Sequence, residues 1–174
     1  MAHPNLDPGR DALLRALTQA NVAFVVIGGA ALQSYDQSHR TDDIDVTPEH
    51  SQTNLERLAA VLNGLDCKLT IDPADDSQDV PLPAGYFTAS SLARQSIWNL
   101  QTTHGKLDIT FHPSGFPDGY DQLRPRAERR QVAQTSITVR VAALDDVEHS
   151  KRTADRPKDR DYLIRVGRLQ APPP

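Results

Sequence analysis

Apolar positions along the 174-residue chain change their spacing several times, and each change marks an element. Residues 22–27 are almost wholly apolar and rich in β-branched side chains, which suits a strand buried on both faces. Gly28 and Gly29 follow at once, residues 30–35 read as a short helix, 40–43 as a polar loop, and Ile44-Asp45-Val46 as a returning strand. Upstream, Leu13, Leu14 and Leu17 give a helix over 11–21 one apolar side, fit to cover the first strand. Leu55, Leu58, Ala59 and Leu62 do the same for a helix over 51–62, which Asn63-Gly64 ends.

Further along, residues 67–71 read as a strand and 86–93 as a short helix. Residues 95–103 and 106–111 are two strands joined by a His104-Gly105 turn, hence a hairpin. Residues 112–121 are Gly/Pro-rich and read as a loop, and 136–141 alternate Ile137, Val139 and Val141 with polar residues, as a half-buried strand does. A helix over 144–153, a break near Pro157 and a last helix over 159–169 close the chain, before a proline tail at 171–174 expected to be disordered. The expected class is α/β (α+β): a mixed β-sheet flanked by helices, with a C-terminal helical segment. One domain is expected, with a core over 1–143 and the helices of 144–170 packed on it. A chain of this size buries roughly 70% of its unfolded surface.

Composition narrows the partners. The net charge of −4 and pI near 5.8 give no bulk attraction to nucleic acid, so any such contact needs a local patch. Arg124, Arg126, Arg129 and Arg130 form one, readable as an RNA-backbone contact or as an ordinary solvated helix face. The single cysteine, Cys67, excludes an internal disulfide and reads as a small core residue, since nothing specific beside it supports a reactive thiol. The six histidines are scattered without an i, i+4 pair, which argues against zinc. No basic-then-apolar leader and no apolar run near ~20 residues is found, so a cytoplasmic protein without a membrane span is expected.

The chemistry concentrates in 24–46. Two glycines after a strand let backbone approach a ligand closely, and the amides of a helix start favour phosphate. Asp43 and Asp45 fall on one face of a strand, roughly 6.5–7 Å apart. Carboxylates that close call for a cation, and Mg²⁺ prefers such oxygens. Asp108 stands between Leu107 and Ile109, and two readings are open: alternation turns it to solvent, or it joins the upstream pair as a third carboxylate of the same site. Lys151 and Lys158, from the residues alone, read as basic helix ends stabilised by the helix dipole. Asp72, Asp75, Asp76 and Asp79 lack the glycine and final Glu of a calcium loop, so 72–85 reads as a solvated loop, in a place where a lid would sit.

Four blocks occur in order: GGAAL from Gly28, HRTDDIDV from His39, HGKLDI from His104, and KRTADRPKDRDYL from Lys151. Together they resemble the nucleotidyltransferase superfamily with the polymerase-β-like fold, and within it the AbiEii-type toxin nucleotidyltransferases, including the mycobacterial MenT toxins. The resemblance spans about residues 22–165. It implies a polymerase-β-like core in which Asp43, Asp45 and Asp108 hold Mg²⁺. Gly28, Gly29, Ala30, Arg40, Lys158 and Asp159 would then bind nucleotide and phosphate, and Lys151 would be catalytic, with Arg156 beside the Lys158–Asp159 pair. The implied reaction moves NMP from an NTP to the 3′ end of tRNA, releases pyrophosphate and blocks translation, with a cognate antitoxin as partner. The same core also fits transfer to a small molecule or a protein side chain, or a non-catalytic module.

Overall fold

The computed structural model describes residues 7–171. Asp7 caps the first helix, accepting from the Gly9 and Arg10 amides, and Pro8 opens it with a preset φ. This helix, α1 (Pro8–Gln19), buries Leu13, Leu14 and Leu17 completely. The Asn21 turn leads into β1 (Phe24–Ile27), and α2 (Gly28–Tyr35) starts directly on the first glycine. β2 (Asp43–Pro48) follows, then α3 (Gln52–Asn63), capped by Ser51. Asn54 ties α3 to the start of β1, bonding both the Ala23 amide and its carbonyl.

The remaining elements are β3 (Lys68–Leu69), a 3₁₀ turn (Asp76–Gln78), β4 (Val80–Pro81), α4 (Ala89–Leu92), β5 (Ile97–Thr102) and β6 (Gly105–Thr110). After them come α5 (Tyr120–Leu123), β7 (Glu128–Gln131), β8 (Thr138–Val141), α6 (Leu144–Ala154) and α7 (Pro157–Arg165). All eight strands join one mixed sheet in the order β4-β3-β5-β6-β2-β1-β8-β7. β2 lies antiparallel to β1 and parallel to β6, and β1 lies parallel to β8. The fold is therefore a mixed α/β sheet with helices packed on it. α2 lies against β1 and β2, α6 against α2, and α7 against α6.

Over residues 43–46 of β2 and 106–110 of β6 the alternation is strict. Ile44, Val46, Leu107 and Ile109 are at most 1% exposed on one face, and the three aspartates occupy the other. Tertiary packing shortens several expected strands: 67–71 contracts to two residues, and the hairpin turn is Thr103-His104, with Gly105 already in β6. Two strands were hidden in stretches of polar composition. β4 sits inside the aspartate-rich loop, and β7, a run of Glu, two Arg and Gln, forms the sheet edge where charged side chains discourage further pairing. Likewise α5 interrupts the expected 112–121 loop. Among the described residues no helix is long and apolar enough to cross a membrane. The expected proline tail lies outside the described residues apart from Ala171.

Candidate active site

β2 and β6 build the centre of the site through register. Asp45 pairs with Asp108 across the two parallel strands, and Asp43 pairs with Lys106. One carboxylate oxygen from each of Asp43, Asp45 and Asp108 lies within 4.8 Å of the others. Among the described residues they are the only such group of acids. Both readings of Asp108 are reconciled, since alternation turns it away from the apolar face and the neighbouring strand makes that direction the carboxylate cluster.

Crowding changes the acids. Burial, and then the charges of Asp43 and Asp108, push the Asp45 carboxyl up to about 7, against a hydrogen bond from the Gly29 amide and the Lys158 charge. Asp108 is pushed to about 6 by burial and by Asp43, against Lys158 and Lys106. In the absence of a cation Asp45 and Asp108 hold protons close to neutral pH. Three convergent hard oxygen donors with unrelieved negative charge fit a divalent cation of the Mg²⁺ kind.

The glycines are required by packing. Gly28 has a φ of +60°, and a Cβ there would lie 2.7 Å from Asp45 Oδ2. A Cβ on Gly29 would lie 2.8 Å from Thr41 Oγ1. Thr41 in turn donates to Asp43 Oδ1 at 2.5 Å. The glycine pair thus lies directly against the acids and the threonine that orients one of them. The helix begins at Gly28, two residues before the expected start at Ala30, because the chain turns at the first glycine. Ala30 is fully buried in the first turn.

The C-terminal basic residues divide. Lys151 Nζ donates to Asp159 Oδ1 at 2.9 Å, and Arg156 Nε donates to Asp159 Oδ2 at 2.6 Å. Burial alone would raise the Asp159 carboxyl, but these hydrogen bonds and charges outweigh it and hold the pKa below the usual range. One carboxylate thus serves two cations. Lys151 and Arg156 also line, with Gly28 and Ser150, a cavity of about 50 Å³ beside the glycine turn. Lys158 is exposed, and its charge reaches both Asp45 and Asp108. Arg40 is exposed on the loop before β2.

The aspartate-rich stretch is held by local turns. Asp72 and Asp75 accept from backbone amides two residues on, and Asp76 pairs with Lys106 at 3.2 Å.

Sequence reasoning missed Arg10. Only 3% exposed, it lies on the buried face of α1. Its Nη1 donates to Gln33 Oε1 at 2.8 Å, and Gln33 Nε2 donates to the His39 carbonyl at 2.8 Å, so α1 braces the loop leading to Asp43. Nε and Nη2 are buried with no partner among the described residues. Its charge interacts with Asp7, Asp43, Asp42 and Asp45, while burial lowers its own pKa. A signal did exist: Arg10 precedes Leu13, Leu14 and Leu17 at helical spacing, on the stripe that must be buried.

No protein-family model matches the chain, and no curated protein matches it.

Proposed function

We propose that the chain is a Mg²⁺-dependent nucleotidyltransferase with a polymerase-β-like core, transferring NMP from an NTP to an acceptor hydroxyl, most plainly the 3′ end of tRNA. The observation that carries this reading is the convergence of Asp43, Asp45 and Asp108 against a Gly-Gly helix start. Asp43, Asp45 and Asp108 would hold the cation, which when bound supplies charge neutralisation at the phosphates.

The chain's own groups account for the rest. The glycine turn leaves room for a phosphate chain against the start of α2. Lys151 and Arg156, sharing one carboxylate, leave one positive charge uncompensated beside that turn, where charge grows on the leaving pyrophosphate. The acceptor oxygen attacks the α-phosphorus, the bond to pyrophosphate breaks, and Asp108 would accept the hydroxyl proton. Positioning and electrostatics carry most of such a transfer. Toxin action and a cognate antitoxin belong to the same proposal and rest on the sequence blocks.

The test is incubation of the purified protein with Mg²⁺, total bacterial tRNA and each labelled NTP in turn, with Asp45→Asn as control. Label in tRNA with the wild type alone supports the reading. Label on protein or a small molecule keeps the chemistry and replaces the acceptor. No transfer and no metal-dependent NTP binding rejects the enzyme.

A further inference from the structure

The run of four arginines at 124–130 is split by the fold into two kinds. Arg126 pairs with Asp146 at 2.9 Å and reaches Asp145. Arg130 pairs with Glu128 at 3.0 Å, donates to the Ser34 carbonyl and lies 4.0 Å over the Tyr35 ring. Both are occupied in holding the structure. Arg124 and Arg129 form no ion pair among the described residues, and they turn with Arg140 into a single cleft of about 360 Å³. Thr18, Asn21 and Thr138 add uncharged hydrogen-bonding groups to its wall.

Arg129 and Arg140 stand directly opposite each other on β7 and β8. Like charges in that position destabilise a strand pair, and no carboxylate intervenes among the described residues. Three guanidiniums on a helix end and two strands, converging on one concave wall, suit several anionic groups better than one. The cleft opens where β1 begins, at Val22, Ala23 and Phe24, whereas the carboxylates flank its far end at Ile27 and Gly28. Three to four residues of strand separate the two, roughly 10–13 Å.

We propose that this cleft binds the phosphodiester backbone of an acceptor RNA, holding the strand away from the end that reacts. The assignment of the acceptor rests on the proposed transferase reading; the cleft itself requires neither metal nor nucleotide. Guanidiniums match phosphate oxygens in pairs, and contacts of this kind fix register without reading bases.

The experiment is anisotropy titration of a labelled single-stranded RNA, without metal or NTP, over a range of salt. The proteins are wild type, Arg129→Gln, Arg140→Gln, the double variant and an Arg94→Gln surface control. The double variant is expected to bind about tenfold or more weakly, and each removed phosphate contact to reduce the salt slope by about 0.7. Each single variant is also expected to melt at or above the wild-type temperature, because it relieves the cross-strand repulsion. Unchanged RNA affinity in a folded double variant overturns the proposal. So does a poly-glutamate peptide that binds equally well with the same arginine dependence, which would make the cleft a site for an acidic protein. Metal-dependent NTP binding, followed separately, reports on the carboxylate site, so failure of one reading is distinguishable from failure of the other.

Discussion

Gly28 and Asp45 are packed so closely that the glycine has no room for a methyl group: its Cβ would lie 2.7 Å from the carboxylate oxygen and 2.8 Å from Cγ. Gly28 also adopts a left-handed φ of +60°, which costs a residue with a side chain about 1–2 kcal/mol. Gly28→Ala is expected to fold with a modestly lower Tm and, if the proposed transferase reading holds, to lose about 100-fold or more of that rate, because Asp45 must shift. Retained activity with a lowered Tm would mean that the carboxylate tolerates displacement.

The raised acids make a prediction about pH. In the metal-free fold Asp45 and Asp108 bind protons up to about 7 and 6, whereas the unfolded chain releases them near the ordinary value of 3.8. Between those values the folded state holds more protons, so stability falls as pH rises through that window. Asp45→Asn removes the effect, and its Tm advantage over the wild type should grow from about pH 5 to about pH 8. Added Mg²⁺ or Mn²⁺ should raise the wild-type Tm more at the higher pH and release protons on binding, measured by calorimetry in two buffers. An advantage that does not vary with pH would show that the two carboxyls are not the titrating groups.

Asp159 is fully buried between Lys151 and Arg156, and removing it leaves Lys151, whose side chain is 12% exposed, without its partner. Asp159→Ala should cost about 3 kcal/mol, at the lower end for a buried pair because Arg156 can turn to solvent. Lys151→Met should cost less stability and more rate. A variant pair with the reverse ranking would assign Lys151 to structure.

Arg10→Met removes a buried cation whose charge offsets the acids. The difference in Tm between about pH 5 and pH 8 should become larger than in the wild type, because the ionised carboxylates lose that compensation. Unfolding curves at both pH values check it, and an unchanged difference would mean that solvent already screens Arg10 from the cluster.

The sequence made the central part of the site legible because strand alternation and turn glycines are local rules. Asp43 and Asp45 on one face, Leu107 and Ile109 opposite Asp108, and the chain reversal at Gly28 all follow from nearest neighbours. What it hid depends on distant partners. β7 has the composition of a solvated segment and becomes a strand only because β8 offers an edge, and Arg140 joins Arg129 only through that pairing. Helical spacing puts Arg10 on the buried stripe of α1, but its partner Gln33 lies 23 residues on, and no spacing announces that pairing.

β6 meets β2 in parallel, and β8 meets β1 in parallel. Parallel neighbours cannot be joined by a tight turn, so each pairing waits for a long intervening stretch of chain. As the polypeptide is synthesised, Asp43 and Asp45 emerge well before Asp108, and Lys151 comes last. A nascent chain therefore carries two of the three clustered carboxylates until β6 is made, and Lys151 joins them only with α6. Contacts this far apart in sequence form slowly. Lys151 meets Asp159 only once both α6 and α7 have followed, so the basic flank of the carboxylate cluster is the last of these parts to be completed.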